Sequence, residues 1–231
     1  MDNPNTHTGD LAARPSLTAH ALVLAPALVA AGNLLAGHEA SSPAGVLADV
    51  SAAPHRFFLS RVLFYAGMLL LLPGIISLMR LAPGRGRRWA TVGGVLTGIG
   101  AAGYGGGEFM LGYSLPLVTD PAIDRVQALT AYDNLQADLL GAIPFLLGLL
   151  AYVGPAVVAV GVLRAHAVGQ RLGIALVVMP LLWFAAAAGT YTVGAIGSLP
   201  LLLTYAVFAR HALRRPDVAV QVPAGQLAAY S

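Results

Sequence analysis

Long apolar stretches separated by short polar connections dominate the chain. A helix needs about 17–25 apolar residues to cross the hydrocarbon core of a bilayer. Five stretches reach this length, and the longest, 172–209, would extend nearly twice the core at about 1.5 Å per residue. Its Gly and Thr residues around 189–194 suit a turn, so we divide it in two. The predicted spans are 17–37, 57–81, 89–115, 139–163, 172–189 and 193–209.

This pattern predicts an all-α fold, a polytopic transmembrane helix bundle with six spans. Residues 17–213 form the transmembrane domain. We expect a disordered cytoplasmic arm at 1–16 and a cytoplasmic tail at 214–231, because both segments are polar or contain Pro and Ala. The predicted location is the cell membrane, with multiple passes through the lipid bilayer.

The positions of the arginines support the count of six and orient the bundle. Cytoplasmic connections of membrane proteins carry an excess of basic residues. With six spans, one side of the membrane holds nearly all arginines: Arg14, Arg80, Arg85, Arg87, Arg88, Arg164, Arg171, Arg210, Arg214 and Arg215. Most carboxylates then fall on the opposite, outer side. Both termini are therefore predicted to be cytoplasmic.

The first predicted span has one alternative interpretation. A basic residue, an apolar stretch and the small residues near Ala36 and Ala40 can also form a cleaved signal peptide. The apolar stretch is long for that purpose and the preceding arm carries Asp2 and Asp10, which favours a retained span.

Composition narrows the chemistry. Hydrophobic residues make up 57% of the chain and charged residues 10%, whereas soluble domains carry about 25% charged residues. The chain has no cysteine and no lysine, which excludes disulfides, thiolate chemistry and a Schiff base. The net charge of +3 comes from arginines beside apolar runs, so we predict no nucleic-acid partner.

Glu108 is the main candidate for a functional group. It lies about 28 Å along the third span from Trp89, towards the outer edge of the hydrocarbon core. Ionisable residues inside spans are costly and mark functional sites by default. Burial favours the protonated acid, which can donate a proton. The alternative is a structural ion pair with Arg61, which enters the second span at similar depth.

Other polar residues gather at the same outer level, as expected for a polar mouth above an apolar cavity. Asp138 or Asp133 can polarise Glu108 or act as a second acid-base group, and Asn33 and Arg61 can bind substrate. Interfacial solvation explains any one of these residues as well. A metal site from His38, Glu39 and His55 is chemically possible, but the spacing matches no known ligand pattern, and we predict neither metal nor cofactor.

Aromatic residues can line the cavity and stabilise a cation through their π faces. Packing and interfacial anchoring are the alternatives for each of them. The aromatics that can line the cavity are Tyr65, Tyr104, Phe109, Tyr113, Phe145, Tyr152, Trp183, Phe184 and Tyr191, and all of them except Phe145 and Tyr152 are predicted to bind substrate.

The chain resembles the small integral-membrane terpene cyclases of meroterpenoid and indole-terpenoid pathways. The resemblance rests on size, a compact bundle and acids at its rim, namely Glu108, Asp138 and Glu39. The chain differs from the fungal members in the number of spans, since six are predicted here and the fungal members are similar to seven-helix bundles. The resemblance implies an enzyme that protonates a polyprenylated substrate with a carboxylic acid. The absence of an Asp-rich diphosphate motif agrees with protonation as the starting step.

The alternative function is non-enzymatic: a small transporter, a channel subunit or an accessory factor. A transporter favours charges near the bilayer midplane, whereas Glu108 lies off-centre. The glycine-rich third span could also serve a helix interface between copies of the chain, so a homo-oligomer is possible.

Overall fold

A computed structural model describes residues 15–36, 42–120, 122–139, 142–187 and 191–213. Within these ranges the chain is entirely helical, with eight α-helices and no strand. The expected all-α class is therefore confirmed. The helices are α1 (Pro15–Ala36), α2 (Pro43–Ala52), α3 (Pro54–Arg80), α4 (Arg87–Val118), α5 (Arg125–Leu139), α6 (Ala142–Arg164), α7 (Gln170–Ala187) and α8 (Tyr191–Leu213).

Three helices in the described ranges are long and apolar enough to cross a membrane. They contain the segments Pro54–Arg80, Leu146–Arg164 and Thr192–Arg210. Two further apolar segments, His20–Ala36 and Gln170–Ala186, are shorter. Large apolar side chains such as Val95, Ile99 and Leu203 point outward from these and neighbouring helices, as is typical of surfaces that face lipid.

Six long helices, one at each predicted span, form a closed ring. In order around the ring, α1 packs on α3, α3 on α4, α4 on α6, α6 on α7, α7 on α8, and α8 returns to α1. The chain between 172 and 209 is divided, since α7 ends at Ala187 and α8 begins at Tyr191. Most of the arm 1–16 and the whole tail 214–231 lie outside the described residues.

Two shorter helices, α2 and α5, lie in the connections on the carboxylate-bearing side. They contact each other and α4. Ser42 begins α2, accepting a hydrogen bond from the Gly45 amide, with Pro43 at the first helical position. Leu47, Val50 and Tyr132 pack with Phe57 and Leu115 in a second, smaller core. We call this end of the bundle the capped end.

The opposite end of the bundle carries arginines. We call it the arginine end, and it comprises the end of α3, the start of α4 and the end of α6, with Arg80, Arg85, Arg88 and Arg164. A single turn of 3-10 helix, Gly84–Gly86, joins α3 to α4. Gly84 has a φ of 58°, in the left-handed region where glycine is at ease.

Helices α4 and α6 approach each other closely at glycine residues. A Cβ on Gly93 would lie 2.5 Å from the Val158 nitrogen, and one on Gly154 would lie 2.5 Å from the Thr97 nitrogen. In the sequence, two pairs of glycines four residues apart, Gly94 with Gly98 and Gly103 with Gly107, predict that helices approach closely at these positions. Gly94 and Gly103 do contact other helices, but through the Met79 and Leu147 side chains, and Gly98 has only one neighbour, at 3.9 Å. The glycines whose added Cβ would meet the backbone of another helix, such as Gly93, lie on a neighbouring face of α4.

Candidate functional site

Arg61 and Glu108 form an ion pair inside the bundle. Arg61 Nη1 donates a hydrogen bond to Glu108 Oε2 at 2.8 Å, which links α3 to α4. The two side chains are 2% and 8% exposed, so the pair is shielded from solvent. The Arg61 guanidinium also lies 4.9 Å from the centre of the Phe57 ring, a cation–π contact. Of the two interpretations of Glu108, the structure shows the pairing with Arg61.

Helical spacing and a small residue place this pair. On α4, Glu108 and Gly112 are one turn apart and share a face, and both are buried. A Cβ on Gly112 would lie 2.5 Å from Arg61 Cβ and 2.7 Å from its Cγ. Glycine at this position therefore leaves the room in which the long Arg61 side chain crosses to Glu108.

Each charge of the pair lowers the free-energy cost of burying the other. Arginine keeps its charge in proteins, and burying an unpaired charge costs several kcal/mol. The Glu108 carboxylate offsets that cost by accepting a charge-assisted hydrogen bond. In this arrangement Glu108 acts as the counter-ion of Arg61.

Five aromatic rings form a continuous group beside Glu108. We call it the aromatic cluster: Phe64, Tyr104, Tyr152, Trp183 and Phe184. Its ring centres are 5.7 Å apart for Phe64 and Tyr104, 6.5 Å for Tyr104 and Tyr152, 4.8 Å for Tyr152 and Trp183, and 5.3 Å for Tyr152 and Phe184. Tyr104 precedes Glu108 by one helical turn, and Tyr152 lies close enough to interact electrostatically with Glu108. Helices α3, α4, α6 and α7 thus each contribute to one apolar wall next to a carboxylate.

Two polar atoms in the aromatic cluster have no partner within the described part of the chain. The Tyr152 hydroxyl and the Trp183 Nε1 are buried and form no hydrogen bond there. Both residues are 2% exposed. Buried tyrosine and tryptophan normally find a partner for these groups. The two atoms could therefore serve a polar group of a bound molecule.

Of the other aromatic residues predicted from the sequence, some form a second group of ring contacts and one lies at the surface. Tyr65 and Phe109 lie 5.4 Å apart, and Phe58 lies 6.1 Å from Phe109. Tyr113 is 56% exposed and points away from the bundle. The side chains of Phe145 and Tyr191 lie outside the described residues.

The predicted polar residues are not all brought to Glu108. Asn33 is buried on α1, next to Gly32, which packs on the Ser60 carbonyl of α3. Asp133 is exposed on α5, and Asp138 belongs to α5 rather than to the span that follows it. The side chain of Asp138 and the whole of Glu39 and His38 lie outside the described residues. The roles assigned to these acids, and the metal alternative, stay predictions.

Phe64 is the member of the aromatic cluster that the sequence did not suggest. It follows Arg61 by three positions and precedes Met68 by four, so helical spacing already placed it on the face of Arg61. Tyr152 was a candidate cavity residue, but it lies in the most apolar stretch, where periodicity does not distinguish the inner face from the lipid face. The packing of α6 on α4 and α7 places it in the cluster.

No protein-family model, curated protein or solved structure matches this chain. Its function is therefore inferred from the geometry of its own residues.

Proposed function

We propose that the chain is a six-span integral-membrane protein of the cell membrane with both termini in the cytoplasm. Six long helices at the predicted spans support the count. The arginines between α3 and α4 and after α6, set against the carboxylates at the capped end, support the orientation. The capped end then faces outward, with Glu108 and Arg61 nearer to it than to the arginine end.

We further propose that the membrane domain is an enzyme for a lipophilic, polyprenylated substrate, with proton-initiated terpene cyclisation as its reaction. The observation that carries this proposal is the carboxylate of Glu108 beside the aromatic cluster. Aromatic faces stabilise a cation without reacting as strong nucleophiles, and a buried acid can start the reaction. The unpartnered Tyr152 hydroxyl and Trp183 Nε1 can orient a polar group of the substrate.

The proposed reaction balances without a cofactor. The Glu108 carboxylic acid gives its proton to one carbon of a substrate double bond, and the other carbon becomes a tertiary carbocation. The π electrons of a second double bond attack this cation and form the ring bond. Loss of a proton from a neighbouring carbon forms a new double bond, and the acid is restored by proton uptake from the capped end.

The ion pair with Arg61 determines when Glu108 can donate a proton. In the ion pair, Glu108 is a carboxylate and carries no proton to give. We propose that a bound substrate separates the two side chains, after which Glu108 takes up a proton from the outer side.

The ion pair itself favours a second candidate, a non-enzymatic membrane protein. If the pair stays closed, it fixes the register of α3 and α4 and has no part in a reaction. The chain would then serve transport or assist a partner protein.

One experiment separates the two candidates. Purified protein is supplied with farnesylated and geranylgeranylated aromatic compounds in deuterated water. The enzyme is expected to give a cyclised product with one non-exchangeable deuterium, and Glu108→Gln is expected to abolish it. Asp49→Asn, which removes an acid of α2, is the matched control and keeps turnover. No product across the panel, or full turnover by Glu108→Gln, rejects the cyclase.

A further inference from the structure

A cavity of about 980 Å³ opens at the arginine end, between the start of α4 and the end of α6. Arg85 and Arg88 line one side of it, and Arg164 and His166 line the other. Among the described residues that line it, none is acidic. Three guanidinium groups from two separate connections therefore share one space.

Glycine contacts explain why the two connections meet. Gly86 immediately precedes α4 and is buried against Gly161 of α6. A Cβ on Gly161 would lie 2.7 Å from the Gly86 oxygen and 2.8 Å from the Ala90 nitrogen. The backbones touch at this point, so the arginines just beyond it face a common cavity.

Trp89 places the cavity at the level of the lipid headgroups. Its ring is 42% exposed, and the Arg164 guanidinium lies 4.9 Å from the ring centre. Tryptophan is enriched at the membrane–water interface. The stacked ring orients Arg164 while leaving the N–H groups at the edge of the guanidinium available to an anion.

His166 occupies a backbone position that glycine normally fills. Its φ is 52°, in the left-handed region. The His166 amide donates to the Leu163 carbonyl at 3.0 Å and the Ala167 amide donates to the Val162 carbonyl at 3.3 Å, which together form a Schellman motif after α6. In this left-handed conformation a histidine has a higher backbone free energy than glycine would have. Its imidazole lines the cavity. The extra side chain indicates a role beyond ending the helix.

We propose that this arginine cavity binds the phosphate of an anionic phospholipid headgroup. Guanidinium groups bind phosphate oxygens through paired hydrogen bonds, and the His166 ring adds another donor. Basic pockets between helices at the cytoplasmic face are typical sites for such headgroups. The cavity is far larger than a phosphate ion needs, which favours a lipid headgroup over free phosphate. The site does not depend on the cyclase chemistry.

The chain supplies a control for ordinary surface charge. Arg87 is exposed on the same turn of α4 as Arg88, but it does not line the cavity. A general attraction of cations to acidic lipid would depend on both arginines equally. A built site depends on Arg88 and Arg164 and not on Arg87.

The test measures lipid binding to the full chain in mixed micelles by native mass spectrometry. Phosphatidylglycerol is titrated against phosphatidylcholine, and inorganic phosphate is tested alone. The wild type is expected to prefer phosphatidylglycerol. The variant carrying Arg88→Gln and Arg164→Gln is expected to bind it about 25-fold more weakly, since one arginine near an anionic surface contributes about fivefold. Arg87→Gln is expected to bind as the wild type does.

His166→Gly provides a second variant in which folding is not at risk. It relieves the left-handed backbone, so its melting temperature should be equal or higher, yet phosphatidylglycerol binding should fall. A loss of about fivefold in Arg87→Gln, as general attraction to the anionic surface would give, or no preference for the anionic lipid, would overturn the proposal. Binding of inorganic phosphate without lipid preference would overturn the lipid assignment. Full binding by His166→Gly would reject the histidine's part.

Discussion

Arg61 Nη1 donates a hydrogen bond to Glu108 Oε2 at 2.8 Å, and this contact joins two helices through residues 47 positions apart in the chain. Both side chains are almost fully shielded from solvent. The pair therefore fixes how α3 meets α4, and it brings the one carboxylate of α4 to the edge of the aromatic cluster.

The pair makes a specific prediction about stability. Glu108→Leu leaves the Arg61 charge buried and should lower the free energy of unfolding by about 3–5 kcal/mol. Arg61→Leu should lower it by less, because Glu108 can become the neutral acid. The double variant leaves no charge behind and should lie much closer to the wild type. Unfolding in mixed micelles with increasing SDS measures all four proteins. Additive losses in the double variant would contradict an ion pair.

Glycine packing between α4 and α6 gives a second prediction. Gly93→Ala places a methyl group 2.5 Å from the Val158 nitrogen, so the helices must separate, at a cost of about 1–3 kcal/mol. Gly106→Ala is the matched control on the same helix, because its methyl group meets nothing within 4 Å. It should be neutral or stabilising by up to about 1 kcal/mol. Melting temperatures in detergent check both, and equal effects would contradict the close approach of α4 to α6.

Tyr152 carries the third prediction. Its hydroxyl is buried without a partner in the described structure, and such a group costs about 1–3 kcal/mol. Tyr152→Phe should therefore keep or raise the melting temperature of the protein without substrate. Tyr113→Phe, at a residue that is 56% exposed, is the control and should change nothing. A clear loss of stability in Tyr152→Phe alone would mean that the hydroxyl has a structural partner.

The absence of cysteine makes the proposed topology directly measurable. Ser51→Cys places a thiol on exposed α2, and Gly169→Cys places one between α6 and α7, where a Cβ meets nothing within 4 Å. A membrane-impermeant maleimide should label the first variant in intact cells and the second only after permeabilisation. The reverse pattern would invert the orientation. Labelling of both in intact cells would contradict the six-span count.

Hydropathy predicted the positions of the long helices because a helix that crosses the bilayer needs a long apolar stretch. It missed α2 and α5, each for a different reason. The ten residues of α2 are too few for a span, although Ser42 and Pro43 carry a recognisable helix start. The fifteen residues of α5 have an alternation of polar and apolar positions too weak to stand out beside the spans.

The candidate site was only partly predictable from the sequence. Glu108 and Arg61 stand out because charges inside spans are rare, and their similar depth already suggested a pair. The aromatic side chains could be predicted as candidates, but their grouping could not, since lipid-facing and core-facing positions of a span are equally apolar. Which side chains meet, such as Tyr152 and Trp183, depends on the order in which the helices pack around the bundle. The sequence does not give that order.

The protonation state of Glu108 is the most direct test of its ion pair with Arg61. The chain has only two glutamates, Glu39 and Glu108, so a Glu39→Gln variant labelled with ¹³C-glutamate reports on Glu108 alone. Infrared spectra of this variant in bilayers should show a carboxylate band, because Arg61 holds the charge, and Arg61→Leu should replace it with the band of the neutral acid. A neutral-acid band with Arg61 present would contradict the ion pair between Arg61 and Glu108.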